Sequence, residues 1–386
     1  MTSRLRLRLI PRLSEIDAAA WDGLTTGNCA LSHAFLSTLE ETGCVSRETG
    51  WEPCHLTLWD DNETLVAAVP LYRKHHSYGE YVFDWAWADA YQRHGLNYYP
   101  KWLTAIPFTP IPGARLLARD EHTRLALAGI LRDLAEESGL SSLHLLFVQE
   151  AEAQALQQAG CMIQRGMQFH WHNRGYRDFD DFLAQLNHSK RKKIRQERRK
   201  ASAHGLTVRW LDGTSAREED WLFFYHCYAT TYAQHRSMPY LTPEFFPALA
   251  QRMPHGVRLL LASRDDGTPV AAAFFLCDEQ ALYGRYWGAV ERLSFVHFEL
   301  CYYEAIDYCI RQGLQRFEGG AQGEHKLSRG LEPVETFSAH WLRDERFADA
   351  VDRYLARAAE GMGFYLDELA ERSPFRALDS EPPKQS

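Results

Sequence analysis

Nowhere do apolar residues run for the roughly 18 to 20 positions that a membrane-spanning helix needs. The opening stretch MTSRLRLRLIPRL alternates charge with apolar side chains, so it reads as a strand and lacks the apolar core of a secretory leader. The eight cysteines form no C-x-x-C pair and no zinc-like spacing, which fits reduced, mostly buried thiols in a cytosolic protein. Neither a P-loop nor a G-x-S-x-G elbow is present. An excess of positive charge is missing too: the net charge is −8, so any polyanion site must be a local patch. Together these absences lead to the expectation of a cytoplasmic protein without a transmembrane segment.

What is there is a chain of two rhyming halves. A length of 386 residues with 45% hydrophobic content supports two or three domains with substantial cores. The segments CHLTLWDDNETLVAAVPLY (54–72) and RLLLASRDDGTPVAAAFFL (258–276) each read as a β-hairpin bent at an acidic turn. An aromatic-rich strand is expected after each, YVFDWAWAD in the first half and LYGRYWGAV in the second. A helix then runs to Gly139 or Gly313, and another strand follows. The unit is α/β with a mixed sheet, in the element order of a GNAT acetyltransferase domain. The expected division is a first domain over 1–172 with an aromatic-rich insert around 78–112, a second over 173–372 opened by a basic helix, and a loose tail over 373–386. A cleft between the two would offer a concave site.

Three stretches carry chemistry. In NHSKRKKIRQERRKASAHG, eight of the eleven residues from Lys190 to Lys200 are basic. Phe179, Leu183, Leu186, Ile194 and Ala201 form an apolar stripe at helical spacing, leaving Lys190, Arg191, Lys193, Arg195 and Arg198 for phosphate or nucleic-acid backbone. In LYGRYWGAV, strand alternation puts Tyr283, Arg285 and Trp287 on one face as candidate substrate contacts, opposite Tyr286. On the next helix Glu304, Asp307 and Arg311 form a solvent stripe, and Glu299 lies about 140° away at roughly 100° per residue as a candidate catalytic carboxylate. The loop between strand and helix, 290–298, has no glycine, although a CoA site would hold pyrophosphate on bare backbone N–H groups there. TPIPGARLL in the first half is closer but lacks the usual spacing.

The third stretch, RFEGGAQGEHKLSRG, leaves a strand through glycines and then presents Glu318, Gln322, Glu324, His325, Lys326 and Arg329. Acyl transfer to an amine needs a neutral nucleophile, a stabilised tetrahedral oxyanion and a protonated leaving group. Lys326 or Arg329 suits the oxyanion, and Glu324 or His325 suits the proton transfers. A metal on His297, Glu299, His325 and His340 matches no known spacing, and none is expected.

DWAWADAYQRHGLNYYPKWLTAIPFTP, LYGRYWGA, HFELCYYEAIDYCI and FEGGAQGEHKLSRG together resemble the bacterial Fem-like N-acyltransferases, often labelled peptidoglycan biosynthesis/recognition proteins of the GNAT superfamily. The resemblance covers roughly residues 25 to 370. It implies tandem GNAT-like domains and an enzyme that moves an acyl or aminoacyl group to an amine, such as a cell-wall precursor. It further implies aminoacyl-tRNA or acyl-CoA as co-substrate, tRNA as a partner in the first case, and no tightly bound cofactor. The alternatives are an acyl-CoA-dependent GNAT and a non-catalytic RNA- or precursor-binding protein. The coiled-coil insertion of some Fem enzymes is absent.

Overall fold

The computed structural model describes residues 5–25, 27–320, 323–372 and 374–376. The first half supplies β1 (Arg6–Ile10), β2 (Trp51–Pro53), β3 (His55–Trp59), β4 (Leu65–Val69), β5 (Leu71–Lys74), β6 (Lys101–Thr104), β7 (Leu117–Ala118), β8 (Ser142–Val148) and β9 (Met162–His172). The second supplies β10 (Thr207–Leu211), β11 (Val257–Ser263), β12 (Pro269–Cys277), β13 (Ala281–Ala289), β14 (Arg316–Glu318) and β15 (Glu332–Leu342). Both acidic hairpins form. Asp60 Oδ1 accepts the N–H of Asn62 and Thr64 at 2.9 and 2.8 Å, and Asp266 Oδ1 accepts that of Thr268 at 2.9 Å. Such side-chain-to-backbone bonds are why Asp closes these turns.

Among the described residues the strands form two sheets: four strands ordered β1-β3-β4-β7, and eleven ordered β10-β11-β12-β13-β14-β9-β15-β8-β6-β5-β2. β13 runs parallel to β14 and β6 parallel to β8, while the other neighbours are antiparallel, so the large sheet is mixed. This is the expected α/β architecture with a mixed sheet. The halves do not simply face each other across a cleft, however. β9 lies between β14 and β15, and β15 lies between β9 and β8, so each half's last strand pairs with the other half's preceding one. Residue 172 therefore ends a strand whose neighbours on both sides lie beyond residue 300. A shared core adds to this, with Phe35 edge-on to Phe245 at 6.0 Å between ring centroids.

Two expectations need correction. The stretch read as a strand, YVFDWAWAD, instead holds the helix Trp85–Arg93. The Trp-Ala-Trp-Ala alternation imitates a strand, but Trp87 and Tyr91 are four apart and pack on His340 and Phe347 respectively. The basic segment is two helices, Phe179–Gln185 and His188–Ser202, broken where Asn187 caps the second through the N–H of Lys190 at 3.0 Å. All five stripe residues are nonetheless buried. Residues 374–376 of the tail are bonded to this break: Pro374 accepts the N–H of Asn187 at 2.9 Å, and Arg376 N–H reaches Gln185 O at 3.0 Å.

Candidate active site

The site begins with a defect in the sheet. β13 and β14 pair only at Ala281–Arg316, Leu282–Phe317 and Tyr283–Glu318, after which β13 continues to Ala289 paired with β12 and not with β14. On its other side Phe274 faces Tyr286 and Phe275 faces Gly284, leaving Arg285 as a bulge. A bulge adds a residue and cancels strict alternation. Arg285 consequently shares a side with Tyr286 instead of opposing it. Both donate to the carbonyl of Phe108, in the first-half insert, and the guanidinium carbon lies 5.0 Å from the Tyr286 ring centroid. Trp287 points the other way, its ring 5.0 Å from that of His297. At Gly288 the helix Glu218–Gln234 comes so close that an added Cβ would sit 2.1 Å from Cys227 O.

The gap between the strands is a pocket of about 300 Å³. Arg285, Tyr286, Trp287, His297, Cys301, Tyr302, Gly319, Gly320 and Lys326 line it from the second half, and Tyr81 and Pro110 from the first. Lys326 is buried and donates to Gly320 O at 2.8 Å, with φ +85° at the glycine. Burial pulls its ammonium down to about 8. Burial, helped by the positive charges around His325, Arg329 and Lys326, pulls His297 down to about 4, so its ring is neutral at ordinary pH. Larger is the groove of about 690 Å³ beside the helix Glu150–Gln158, but it contains none of the candidate residues.

Several candidates sit next to this pocket without lining it. Tyr283 is buried, donating to Asp278 Oδ2 at 2.7 Å and accepting from Arg316 at 3.0 Å. Glu318, also buried, accepts from Arg316 Nε at 2.9 Å, and burial raises its carboxyl to about 7 against the pull of Arg316. His325 is exposed, with Nε2 3.1 Å from the Tyr302 hydroxyl. Glu324 opens the turn Glu324–Arg329; its side chain and the whole of Gln322 lie outside the described residues.

Arg329, expected at the substrate, is instead a strut. It stacks 3.6 Å above the Phe298 ring centroid and donates to Glu197 at 2.8 Å and to His325 O at 2.7 Å. Glu197, inside the basic helix, also accepts the Tyr303 hydroxyl. Nothing in its local sequence distinguishes Glu197 from a solvated residue except its place on the Ile194–Ala201 stripe.

Glu299 is likewise diverted. A π-helical segment, Glu299–Tyr303, interrupts the helix, and in that winding residues five apart share a face. Glu299 and Glu304 therefore both reach Arg198, at 2.7 and 3.2 Å, instead of standing 140° apart. Burial raises the Glu299 carboxyl and Arg198 opposes this, while Glu299 Oε2 has no hydrogen-bond partner among the described residues.

The rest of the basic helix forms a groove of about 540 Å³, where Arg191, Lys192, Arg195, Arg198, Arg199 and His188 surround Phe179 and Leu183. Of the expected phosphate ligands, Lys190 and Lys193 are not in it; Lys192 and Arg199 were missed. The two glycine-poor loops also have contents. Phe295, at φ +69°, turns the second-half loop beneath Lys200, 5.0 Å from its ring centroid. In the first half the N–H groups of Arg115 and Leu116 are taken by the Glu152 carboxylate at 3.0 and 2.8 Å. His340 belongs to a separate buried network with His144, 2.8 Å between Nδ1 atoms. Among the described residues no three His, Cys, Asp or Glu side chains are placed to hold a metal, and no helix is long and apolar enough to cross a membrane.

Solved structures share this fold. FemX aligns with a TM-score of 0.55 over 90% of this chain and 100% of its own, at 12% identity. A DUF2156 domain assigned to a lysylphosphatidylglycerol synthetase of Agrobacterium fabrum aligns at 0.54 over 89% and 97%, at 11% identity. The L-PGS of Bacillus licheniformis aligns at 0.50 over 85% and 92%, also at 11%. At such identities the likeness speaks to fold alone. No curated protein matches the chain. A family model, FemAB-like, described as peptidoglycan biosynthesis/recognition, matches residues 12–377, and the chain belongs to that family.

Proposed function

We propose that the protein is an N-acyltransferase that moves an acyl or aminoacyl group from an activated donor to an amine, a cell-wall precursor being the acceptor class its family suggests. One observation carries this reading: the pocket opened by the splay of β13 and β14 holds a buried ammonium, Lys326, beside the neutral ring of His297. The lone pair of a neutral amine attacks the donor carbonyl, forming the C–N bond and moving the π pair onto oxygen. The Lys326 ammonium stabilises that oxyanion as a point charge. Collapse expels the donor's ester oxygen or thioester sulfur, which receives the proton lost by nitrogen. His325 and Glu324 remain the candidates for carrying that proton.

Aminoacyl-tRNA is the favoured donor. Five cations, of which Arg195 is paired with Asp180 and Arg198 with Glu299 and Glu304, gather in a groove whose helix is bonded directly to the pocket-bearing segments. Of the loops that could cradle CoA, 290–298 has no glycine, and in the first-half loop the N–H groups of Arg115 and Leu116 are already taken by Glu152. The purified protein, an amine panel and either charged tRNA or acyl-CoAs would be incubated and the products weighed by mass spectrometry. Amide formation from charged tRNA alone supports the reading. Turnover with acyl-CoA alone replaces the donor, and donor binding without any amide replaces the enzyme with a binding protein.

A further inference from the structure

The pocket holds one cation more than its proposed chemistry uses: Lys326 serves the oxyanion, and Arg285 has no part in that step. Arg285 and Lys326 are its charged lining residues, and both are cations. Neither lies within 4.0 Å of a carboxylate among the described residues, although Lys326 is buried and Arg285 half-buried. Elsewhere in the fold, cations at similar depth are matched: Arg329 has Glu197, Arg198 has Glu299 and Glu304, and Lys101 has Glu80 and Asp84. The carboxylate that acts on Arg285, Glu318, is itself held by Arg316. What Arg285 has instead is neutral, the Phe108 carbonyl and the Tyr286 hydroxyl. Burying charge without a counter-ion is costly, so a site that retains two such cations is prepared for an anion.

The remaining wall fixes the body to which that anion is joined. Tyr81, Tyr228, Tyr232, Tyr286, Trp287 and Tyr302 surround about 300 Å³. Flat aromatic faces favour an aromatic or apolar group, stacked or edge-on. An aromatic cage can also take a cation, but here two positive charges stand in the same wall and oppose one.

Resting on the reading of this pocket as the acyl-transfer site, we propose that its substrate carries a compact anionic group, a carboxylate or a phosphate, on an aromatic or apolar body, with Arg285 pairing the anion. The bulge is what makes this possible, because it turns Arg285 to the side of Tyr286 and the first-half insert. In a regular strand, consecutive side chains would point to opposite faces.

The test is binding, so that it stands apart from turnover. Phenylacetate, phenyl phosphate, phenylacetamide and benzyltrimethylammonium are titrated calorimetrically into the whole protein at pH 7. One or both anions should bind at least tenfold tighter than the amide and the cation, and whichever binds tighter identifies the anion. Arg285→Met should weaken the anion about tenfold, the worth of one charge-assisted hydrogen bond. Should the variant fold poorly, the wild-type preference for anion over amide and cation still decides. Equal binding of amide and anion, tighter binding of the cation, or an Arg285→Met variant that folds and binds the anion as well as wild type overturns the proposal. Anion preference in a protein that transfers no acyl group would leave this inference standing and remove the transferase reading; transfer without anion preference does the reverse.

Discussion

Arg329 Nη2 donates to Glu197 Oε2 at 2.8 Å, and both side chains are buried, at 3% and 7% exposure. The pair ties the basic helix to the turn that carries Lys326, three residues before Arg329. The groove and the pocket are thus two faces of one packed unit.

Breaking this pair from one side leaves a buried charge without its partner. Glu197→Ala should therefore cost about 3–5 kcal/mol in urea unfolding, while Glu197→Leu with Arg329→Met should recover much of the loss. A single-variant cost below about 1 kcal/mol would make the contact incidental.

For the groove, replacing Arg191, Lys192, Arg195 and Arg199 with Gln should lower the salt slope of RNA binding by about 2.8, four phosphate contacts on a single strand. Lys190 and Lys193, outside the groove, should barely change it. Arg198 belongs in a different experiment, since its loss unpairs Glu299 and Glu304 and should appear first as lost stability.

Much of this arrangement was legible in the sequence. The hairpins, the basic stripe and the glycine-rich exit from β14 are local patterns, and local patterns survive folding. What was not legible depends on winding and register. One inserted residue at Arg285 reverses a face, and one π turn at Glu299 brings two acids onto a single arginine. Neither leaves a period to count. Glu197 was hidden for another reason: a carboxylate among eight basic residues reads as charge balance until its buried partner, 132 residues later, is seen. The exchange of β9 and β15 is equally non-local, because the order of strands in sequence does not fix their order in a sheet.

Turnover should follow the Lys326 ammonium. With that group at about 8, the rate divided by the fraction of acceptor present as neutral amine should be steady between pH 6 and 7 and fall about tenfold per unit above pH 8 as the oxyanion loses its cation. A rate that keeps rising through pH 9 would point to the neutral amine of Lys326 acting as a base.

Lys74 offers a stability test away from the site. It is fully buried 3.9 Å from the Trp51 ring centroid, and burial lowers it to about 6, opposed by Glu80. Between pH 7 and 10 the unfolded chain holds this proton and the folded chain does not, so stability should rise with pH by up to about 1.4 kcal/mol per unit from this group. Lys74→Met removes that contribution. The stability difference between wild type and variant should change with pH in that direction, and a constant difference would mean that Lys74 stays charged in the fold.

The most direct measurement is single-turnover acyl transfer by Lys326→Met beside wild type, with urea unfolding run on both. The account predicts a loss of about 10²-fold or more in the chemical step and little change in unfolding, since the methylene stem is kept. A variant that transfers at the wild-type rate would contradict it.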